Sequence, residues 1–161
     1  MKSAAAAHPE TQEILDAIRR IVRALRISSR FSEKVLGLSS AQLYILQKLG
    51  ESGGCSINEL AERTLTHQSS VSVVVSKLVG QGLAIRRRSR QDARRAEISI
   101  TPKGLALIRR APQPIQQRLI GAIETLPSAA RKGLSRNLVA VVSAAGIAEG
   151  PVPMFFEERT K

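Results

Sequence analysis

The segment from Leu83 to Thr101 constrains the fold more than any other, because it has the pattern of a short β-hairpin. Apolar residues alternate on both arms, as in half-buried antiparallel strands: Leu83 and Ile85, then Ile98 and Ile100. Six arginines surround the carboxylate of Asp92 in and beside the connection: Arg86, Arg87, Arg88, Arg90, Arg94 and Arg95. Like charges at this density repel one another, so we expect a polyanion to neutralise them.

The composition indicates that this polyanion is a nucleic acid duplex. The 161 residues carry a formal net charge of +12, which favours a nucleic acid or another anionic surface as partner. Single strands and RNA loops are usually bound by stacking bases on aromatic rings. The chain has too few aromatic residues for such a platform: Phe31, Tyr44, Phe155 and Phe156. We therefore predict contacts with the phosphates of double-stranded DNA.

Other functional classes find no support in the residues. No window approaches 18 consecutive apolar residues, so we expect no membrane span, and the N-terminus lacks the apolar stretch of a secretory signal. The single cysteine, Cys55, suits a reducing cytoplasm. We expect no metal or other cofactor, since His67 is accompanied only by His8 in a tail. No catalytic constellation or phosphate-binding glycine loop is evident, so we expect no enzyme.

Helix start and stop signals divide the chain. We expect a frayed tail over 1–9, a helix over 10–36 ended by Gly37, a compact lobe over 37–101, further helices over 102–148 and a tail over 149–161. Within the lobe, Ser39 with Gln42 and Ser56 with Glu59 form two capping boxes, each of which starts a short helix. The first of these helices is expected to run to about Leu49 and to stop in GESGG, residues 50–54, where the glycines can take left-handed conformations. The second is expected to end near Thr64.

A third helix of the lobe is predicted over 67–80. The segment is rich in β-branched residues, which favour strands. However, its apolar residues recur at i, i+3, i+4 and i+7, which indicates one buried face of a helix: Val71, Val74, Val75 and Leu78. After the hairpin, Thr101 and Pro102 begin a helix that Pro112 and Pro114 must kink or break.

Two apolar seams run along the terminal helices: Ile14, Ile18, Ile21 and Leu25 in the first, and Leu134, Leu138, Val141 and Ala145 in the last. Such seams either cover a core of their own chain or form an interface between two copies. A chain of this size offers terminal helices little core to cover. We therefore expect a two-fold symmetric homodimer.

The order of elements predicts a mainly α fold with a small β-hairpin, a winged helix-turn-helix flanked by N- and C-terminal dimerisation helices. At this point the sequence resembles the MarR family of bacterial transcriptional regulators. The resemblance rests on LSSAQLYIL, on SINELAERTLTHQSSVSVVVSKLVGQGL and on Asp92-Ala93-Arg94 followed by Ile100-Thr101-Pro102-Lys103-Gly104. It covers about residues 10–148.

The resemblance implies a homodimer that binds a pseudo-palindromic duplex, usually a repressor released by a small ligand or by oxidation. It implies that the helix near 67–80 is the recognition helix, that the hairpin over 83–101 is the wing, and that the terminal helices dimerise. By the same resemblance, Arg94 is the wing-tip arginine that enters the minor groove and Asp92 shapes that tip. The chain departs from many members at Leu65, where they have glycine, and at Val73, where they have arginine.

The DNA contacts predicted from the sequence lie on these two elements: Gln68, Ser69, Ser72, Val73 and Lys77 on the helix, and Arg86, Arg88, Arg90, Arg94 and Arg95 on the hairpin. In a major groove, Gln68 suits adenine and Val73 suits a thymine methyl. Because the helix face has little charge, we expect the wing to contribute most of the affinity.

Three questions stay open from the sequence. The charge and the bland helix face also suit a sequence-tolerant architectural DNA-binding protein. Cys55 is either a redox sensor or an inert residue before the Ser56 cap, and its loop position favours the inert reading. The resemblance implies an effector pocket between the terminal helices and the lobe, and its mostly aliphatic walls suit a small apolar or phenolic ligand only loosely.

Overall fold

The computed structural model describes residues 8–88, 96–147 and Met154. In chain order the described elements are α1 (Pro9–Phe31), a π-helical turn (Ser32–Leu36), α2 (Ser40–Ser52), α3 (Ile57–Thr64), α4 (Gln68–Gly80), β1 (Ala84–Arg88), β2 (Ala96–Ile100), α5 (Pro102–Ile108), α6 (Ile115–Glu124) and α7 (Ser128–Ala144). This order confirms the predicted mainly α fold with one hairpin. The strands pair in an antiparallel two-stranded sheet.

Both predicted capping boxes are present and set where the lobe helices begin. The Ser39 hydroxyl accepts a hydrogen bond from the Gln42 backbone N–H at 3.2 Å, and the Gln42 side-chain oxygen accepts from the Ser39 N–H at 2.9 Å. Ser56 and Glu59 repeat this reciprocal pair at the start of α3. Each box satisfies backbone donors that a helix N-terminus otherwise leaves unpaired.

α2 stops within GESGG at a left-handed glycine, as the sequence predicts. The helix continues past Leu49 to Ser52 and ends at Gly53, whose φ is 69°. Gly50 is therefore a helical residue, and it is small because α5 packs closely there. A Cβ at this position would lie 2.5 Å from Cδ1 of Ile108.

The core lies in the lobe, residues 37–101, and comes mainly from α2, α3 and α4. The predicted apolar stripe of α4 is confirmed, since Val71, Val74, Val75 and Leu78 are all buried. Cys55 extends the small sheet by exchanging two backbone hydrogen bonds with Ile98 of β2. Met154, far along the chain, is also buried in this core.

After the hairpin, α5 packs against α2 of the lobe, whereas α7 has no buried residue. The predicted break at the prolines is confirmed, since α5 ends at Ile108 and α6 begins at Ile115, directly after Pro114. α7 ends at Ala144, short of the expected 148, because Gly146 takes a left-handed conformation with φ 64°. We call α1 and α7 the arms.

Candidate nucleic-acid interface

The turn between α3 and α4 sets the direction of the predicted recognition helix. Leu65 directly follows the last residue of α3 and takes the left-handed conformation, with φ 52° and ψ 43°. It is the one non-glycine residue with a positive φ in the described ranges. The Thr66 N–H then donates to the Ala61 carbonyl at 3.0 Å, which closes the helix end. The resemblance to the MarR family predicts glycine in this turn. Leu65 makes the same turn at a cost in backbone strain.

α4 has one face in the core and one in solvent. Opposite the buried stripe lies what we call the reading face, formed by Gln68, Ser69, Ser72, Val73 and Ser76. Val73 is 46% exposed although it is apolar. The helix begins after His67, whose side chain makes no capping hydrogen bond. The reading face is polar and carries no formal charge, which matches the sequence analysis.

The hairpin register decides which arginines face α4. Arg86 pairs with Ile98, and Ala84 pairs with Ile100. Because directly paired residues lie on one face of a sheet, the even-numbered side chains of β1 face the lobe. The expectation that Ile85 is a half-buried partner of Leu83 is therefore wrong. Ile85 pairs with Ser99 and is 37% exposed, whereas Ala84 and Leu83 are buried.

Arg86 connects the hairpin to the recognition helix. Its Nη2 donates a hydrogen bond to the Ser76 hydroxyl at 3.0 Å. The Ser76 hydroxyl in turn donates to the Ser72 carbonyl at 2.8 Å. Arg88 lies on the same strand face two residues on, and both arginines are exposed. Ser76 has no cap or motif signal in the sequence, so only the fold reveals its contact with Arg86.

The tip of the hairpin lies outside the described residues. Arg90, Asp92, Arg94 and Arg95 all fall in this segment, so their roles as groove probe, tip support and phosphate contacts stay predictions. Among the described helix residues predicted to contact DNA, Gln68, Ser69 and Val73 are exposed, and Ser72 and Lys77 are half-buried.

Thr101 joins the hairpin, α4 and α5 at one point. Its hydroxyl accepts from the Gly104 N–H at 3.1 Å, which caps α5, and also lies 2.8 Å from the Gly82 carbonyl. The Lys103 ammonium donates to the Gln81 carbonyl at 3.0 Å, just past the end of α4. A Cβ on Gly104 would collide with the Leu83 carbonyl oxygen. These contacts explain the Thr-Pro-Lys-Gly sequence physically.

The arms expose most of the seam residues that were predicted to form a dimer interface. Ile14 is 55% exposed on α1, and Val141 is 54% exposed on α7. Ile18, Ile21, Leu134, Leu138 and Ala145 are exposed as well. Leu25 departs from this pattern, because it is only 4% exposed and is covered by its own chain. It lies near the end of α1 that leads into the lobe.

Cys55 is buried beside β2. Burial raises the pKa of its thiol, and a hydrogen bond from the Ser52 hydroxyl, at 3.8 Å from the sulfur, opposes this only in part. A thiol with a raised pKa holds less of the reactive thiolate at neutral pH. This environment favours the inert reading of Cys55.

No helix in 8–88 or 96–147 is long and apolar enough to cross a membrane. Within the same ranges, no group of three or more histidine, cysteine or acidic residues is placed to hold a metal ion.

Comparisons with known proteins show what this arrangement is similar to. A family model described as MarR family matches residues 36–95. The transcriptional repressor MdtR of Bacillus subtilis is 28% identical over 104 residues, which is 65% of this chain and 65% of MdtR. The transcriptional regulator BilQ of Clostridium symbiosum is 35% identical over 68 residues, which is 42% of this chain and 47% of BilQ. The matches thus leave at least a third of both curated relatives uncovered.

The solved structures agree on the fold. The transcriptional regulator BldR from Sulfolobus solfataricus superposes with a TM-score of 0.55 at 25% identity, covering 84% of this chain and 96% of BldR. Together with the family model, this match confirms the resemblance inferred from the sequence and the winged helix-turn-helix fold.

Proposed function

We propose that the chain is a MarR-family, sequence-specific DNA-binding transcriptional regulator, on the strength of its winged helix-turn-helix and of the family-model match over residues 36–95. It acts in the cytoplasm as a homodimer on a pseudo-palindromic operator, as a repressor that a small effector releases. The observation that carries the proposal is the bond from Arg86 to Ser76. This bond brings the basic hairpin against the exposed polar face of α4.

The charge distribution supports a duplex as the target. The arginines of β1 stand beside the reading face, so a major groove over α4 would bring phosphates within reach of the hairpin. Base edges then meet the side chains of Gln68, Ser69 and Val73, which provide hydrogen bonds and one apolar contact. Arg90, Asp92, Arg94 and Arg95 lie outside the described residues, and we expect them to add to this surface.

The exposed arms support the homodimer. An apolar helix face of this extent is stable in water only when another surface covers it. A second copy supplies that surface symmetrically and places two reading faces on successive turns of the duplex. Ile14, Ile18, Ile21, Leu134, Leu138, Val141 and Ala145 are the residues that we propose to bury at this interface.

One buried group supports a site for the effector. Gln116 of α6 is 7% exposed, and its side-chain oxygen has no hydrogen-bond partner in the part of the chain that the structure describes. A buried acceptor without a donor is costly, so a ligand hydroxyl would be bound favourably there. This chemistry favours a small phenolic effector over a purely apolar one.

Footprinting on the protein's own upstream region tests the proposal. We expect discrete protection of two half-sites about one helical turn apart, with release by small phenols. If about 6–10 phosphates are neutralised, affinity should fall by about 10³–10⁵ between 50 and 200 mM salt. A flat salt response would contradict DNA binding by this surface.

The second candidate is a sequence-tolerant architectural protein. It is favoured by the reading face, which has no formal charge and one exposed valine. Uniform protection along the fragment, with equal affinity for a scrambled duplex, would establish this alternative. A redox regulator based on Cys55 is not favoured, since the thiol is buried and its pKa is raised.

A further inference from the structure

The hydrogen bond between Arg86 and Ser76 joins two elements that the proposed function brings to different grooves. Arg86 leaves β1 on the lobe side, and its guanidinium ends on the exposed face of α4. Ser76 is held as well, because its own proton is donated to the Ser72 carbonyl. A hydroxyl has one proton and two lone pairs, so this arrangement leaves lone pairs to accept from Arg86.

We propose that Ser76 is a positioning residue that holds the Arg86 guanidinium against the phosphate strand between the major and minor grooves. This inference rests on the proposed function. With α4 in the major groove and the wing tip in the adjacent minor groove, the sugar-phosphate strand that separates them passes between these two elements. Arg86 reaches across that gap, since it spans from the middle of β1 to Ser76 in the C-terminal half of α4.

The chemistry of the group suits a phosphate there. A guanidinium has five N–H donors, and the bond to Ser76 uses one of them. The remaining donors can bind phosphate oxygens in a bidentate manner, which requires a fixed plane as well as a charge. Without Ser76 the long side chain is free to rotate, and fixing it on binding costs conformational entropy.

Arg87 provides a matched control on the next position of the strand. It has the same charge and is also exposed, but it pairs with Glu97 and lies on the opposite face of the sheet. If only the number of charges mattered, Arg86→Ala and Arg87→Ala would weaken DNA binding equally. If the position of the guanidinium matters, Arg86→Ala should weaken DNA binding more than Arg87→Ala.

The experiment is a double-mutant cycle on the full chain. Dissociation constants are measured over a range of salt for wild type, Ser76→Ala, Arg86→Ala, the double variant and Arg87→Ala. The probes are a duplex selected in vitro by the wild-type protein and a scrambled duplex of the same composition. Thermal unfolding of each variant establishes that it is folded, and Ser76→Thr restores a hydroxyl in the same place.

We expect Arg86→Ala to weaken binding to both duplexes by about tenfold for each protomer, the size of one charge-assisted contact, and so by about a hundredfold for a dimer. Its salt slope should fall by about 1 for each protomer, as for any lost phosphate contact. Ser76→Ala should lower affinity and slope in the same direction, and should add nothing in the Arg86→Ala background. Ser76→Thr should retain most of the affinity, since threonine also back-bonds within helices.

Several outcomes would overturn the inference while leaving the proposed function intact. These are multiplying losses from the two single variants, an unchanged salt slope in Ser76→Ala, or an equal loss from Arg87→Ala. A loss confined to the selected duplex would assign Arg86 to a base edge and would also overturn the phosphate contact. If the wild-type protein binds neither duplex at low salt, the proposed function fails and the inference fails with it.

Discussion

The lobe buries its apolar side chains within one chain, whereas the arms leave most of theirs exposed. In the lobe, side chains such as Leu46, Leu49 and Leu78 are fully covered by neighbours from their own chain. In the arms, Leu138 is 47% exposed and Val139 66% exposed, and no residue of α7 is buried. An apolar groove of about 250 Å³ runs beside Leu138, Val139 and Val142.

The lobe therefore determines the stability of one molecule, whereas the arms carry the apolar surface that is available for assembly. Burial in the lobe stabilises the fold within one molecule, by roughly 25 cal/mol for each Å² of apolar surface. The same residue types in the arms contribute little until a second surface covers them. Substitutions of equal chemistry should therefore have different consequences in the two regions.

The largest effect is expected from one truncation made in both regions. Leu49→Ala should lower the free energy of unfolding by about 2–5 kcal/mol, because it opens a cavity in a fully buried site. Leu138→Ala should change the unfolding of the isolated chain by less than about 0.5 kcal/mol. It should instead weaken self-association, seen as a shift to smaller size in light scattering on dilution. Equal losses of stability would remove the distinction between lobe and arms.

The next effect concerns alkaline pH and the single tyrosine. Burial, with smaller effects of Glu51 and Glu124, raises the pKa of Tyr44 to about 12 from its usual 10.0. The folded lobe thus prefers the neutral phenol. Its contribution is fully present below pH 10 and is lost as the pH rises from 10 towards 12, up to about 2–3 kcal/mol.

The phenolate absorbance reports this titration cleanly, because the chain has one tyrosine and no tryptophan. Tyr44→Phe should be less sensitive to pH in this range. A titration near pH 10 in the folded protein would mean that Tyr44 is more hydrated than the structure indicates.

Gly104→Ala and Gly133→Ala should change the free energy of unfolding by intermediate amounts and in opposite directions. Gly104→Ala should destabilise the lobe by about 1–3 kcal/mol, since the new methyl group collides with the Leu83 carbonyl oxygen and Ile100. Gly133→Ala in α7 meets nothing within 4 Å and should stabilise that helix by about 0.5–1 kcal/mol. Denaturant unfolding measures both. If Gly133→Ala instead weakens self-association, the proposed dimer interface passes directly over that residue.

The smallest effect is expected at the turn before α4. Leu65→Gly removes left-handed strain of about 1–2 kcal/mol, while the added freedom of the unfolded chain costs about 0.5–1 kcal/mol. The net gain should be at most about 1.5 kcal/mol in denaturant unfolding. Destabilisation would show that the exposed leucine side chain makes a stabilising contact of its own.

Local patterns in the sequence predicted most of the lobe. The capping boxes at Ser39 and Ser56 were correct to the residue, because a cap depends on side chains three positions apart. The stripe of α4 was correct because its period outweighed the β-branched composition. The fold class followed from the order of these elements.

The errors and omissions concern contacts that are distant in sequence. Gly50 lies inside α2, and only the fold shows that Ile108 of α5 packs against it. The alternation predicts Ile85 on one face with Leu83 in a half-buried strand, but the strand register turns it outward. Met154 and Leu25 are buried by partners that no local pattern indicates. Ser76 acquires a contact only when β1 folds back against α4.

Thr101 is the single residue between β2 and α5. Through this short junction, a rotation of α5 is transmitted directly to the hairpin. A strand of five residues is about 17 Å long, so a tilt of about 10° at its base moves its far end by about 3 Å. That is half the width of a minor groove of about 6 Å. Because Thr101 leaves no flexible linker, a small rotation of α5 would misalign the hairpin with the minor groove while leaving the core of the lobe unchanged.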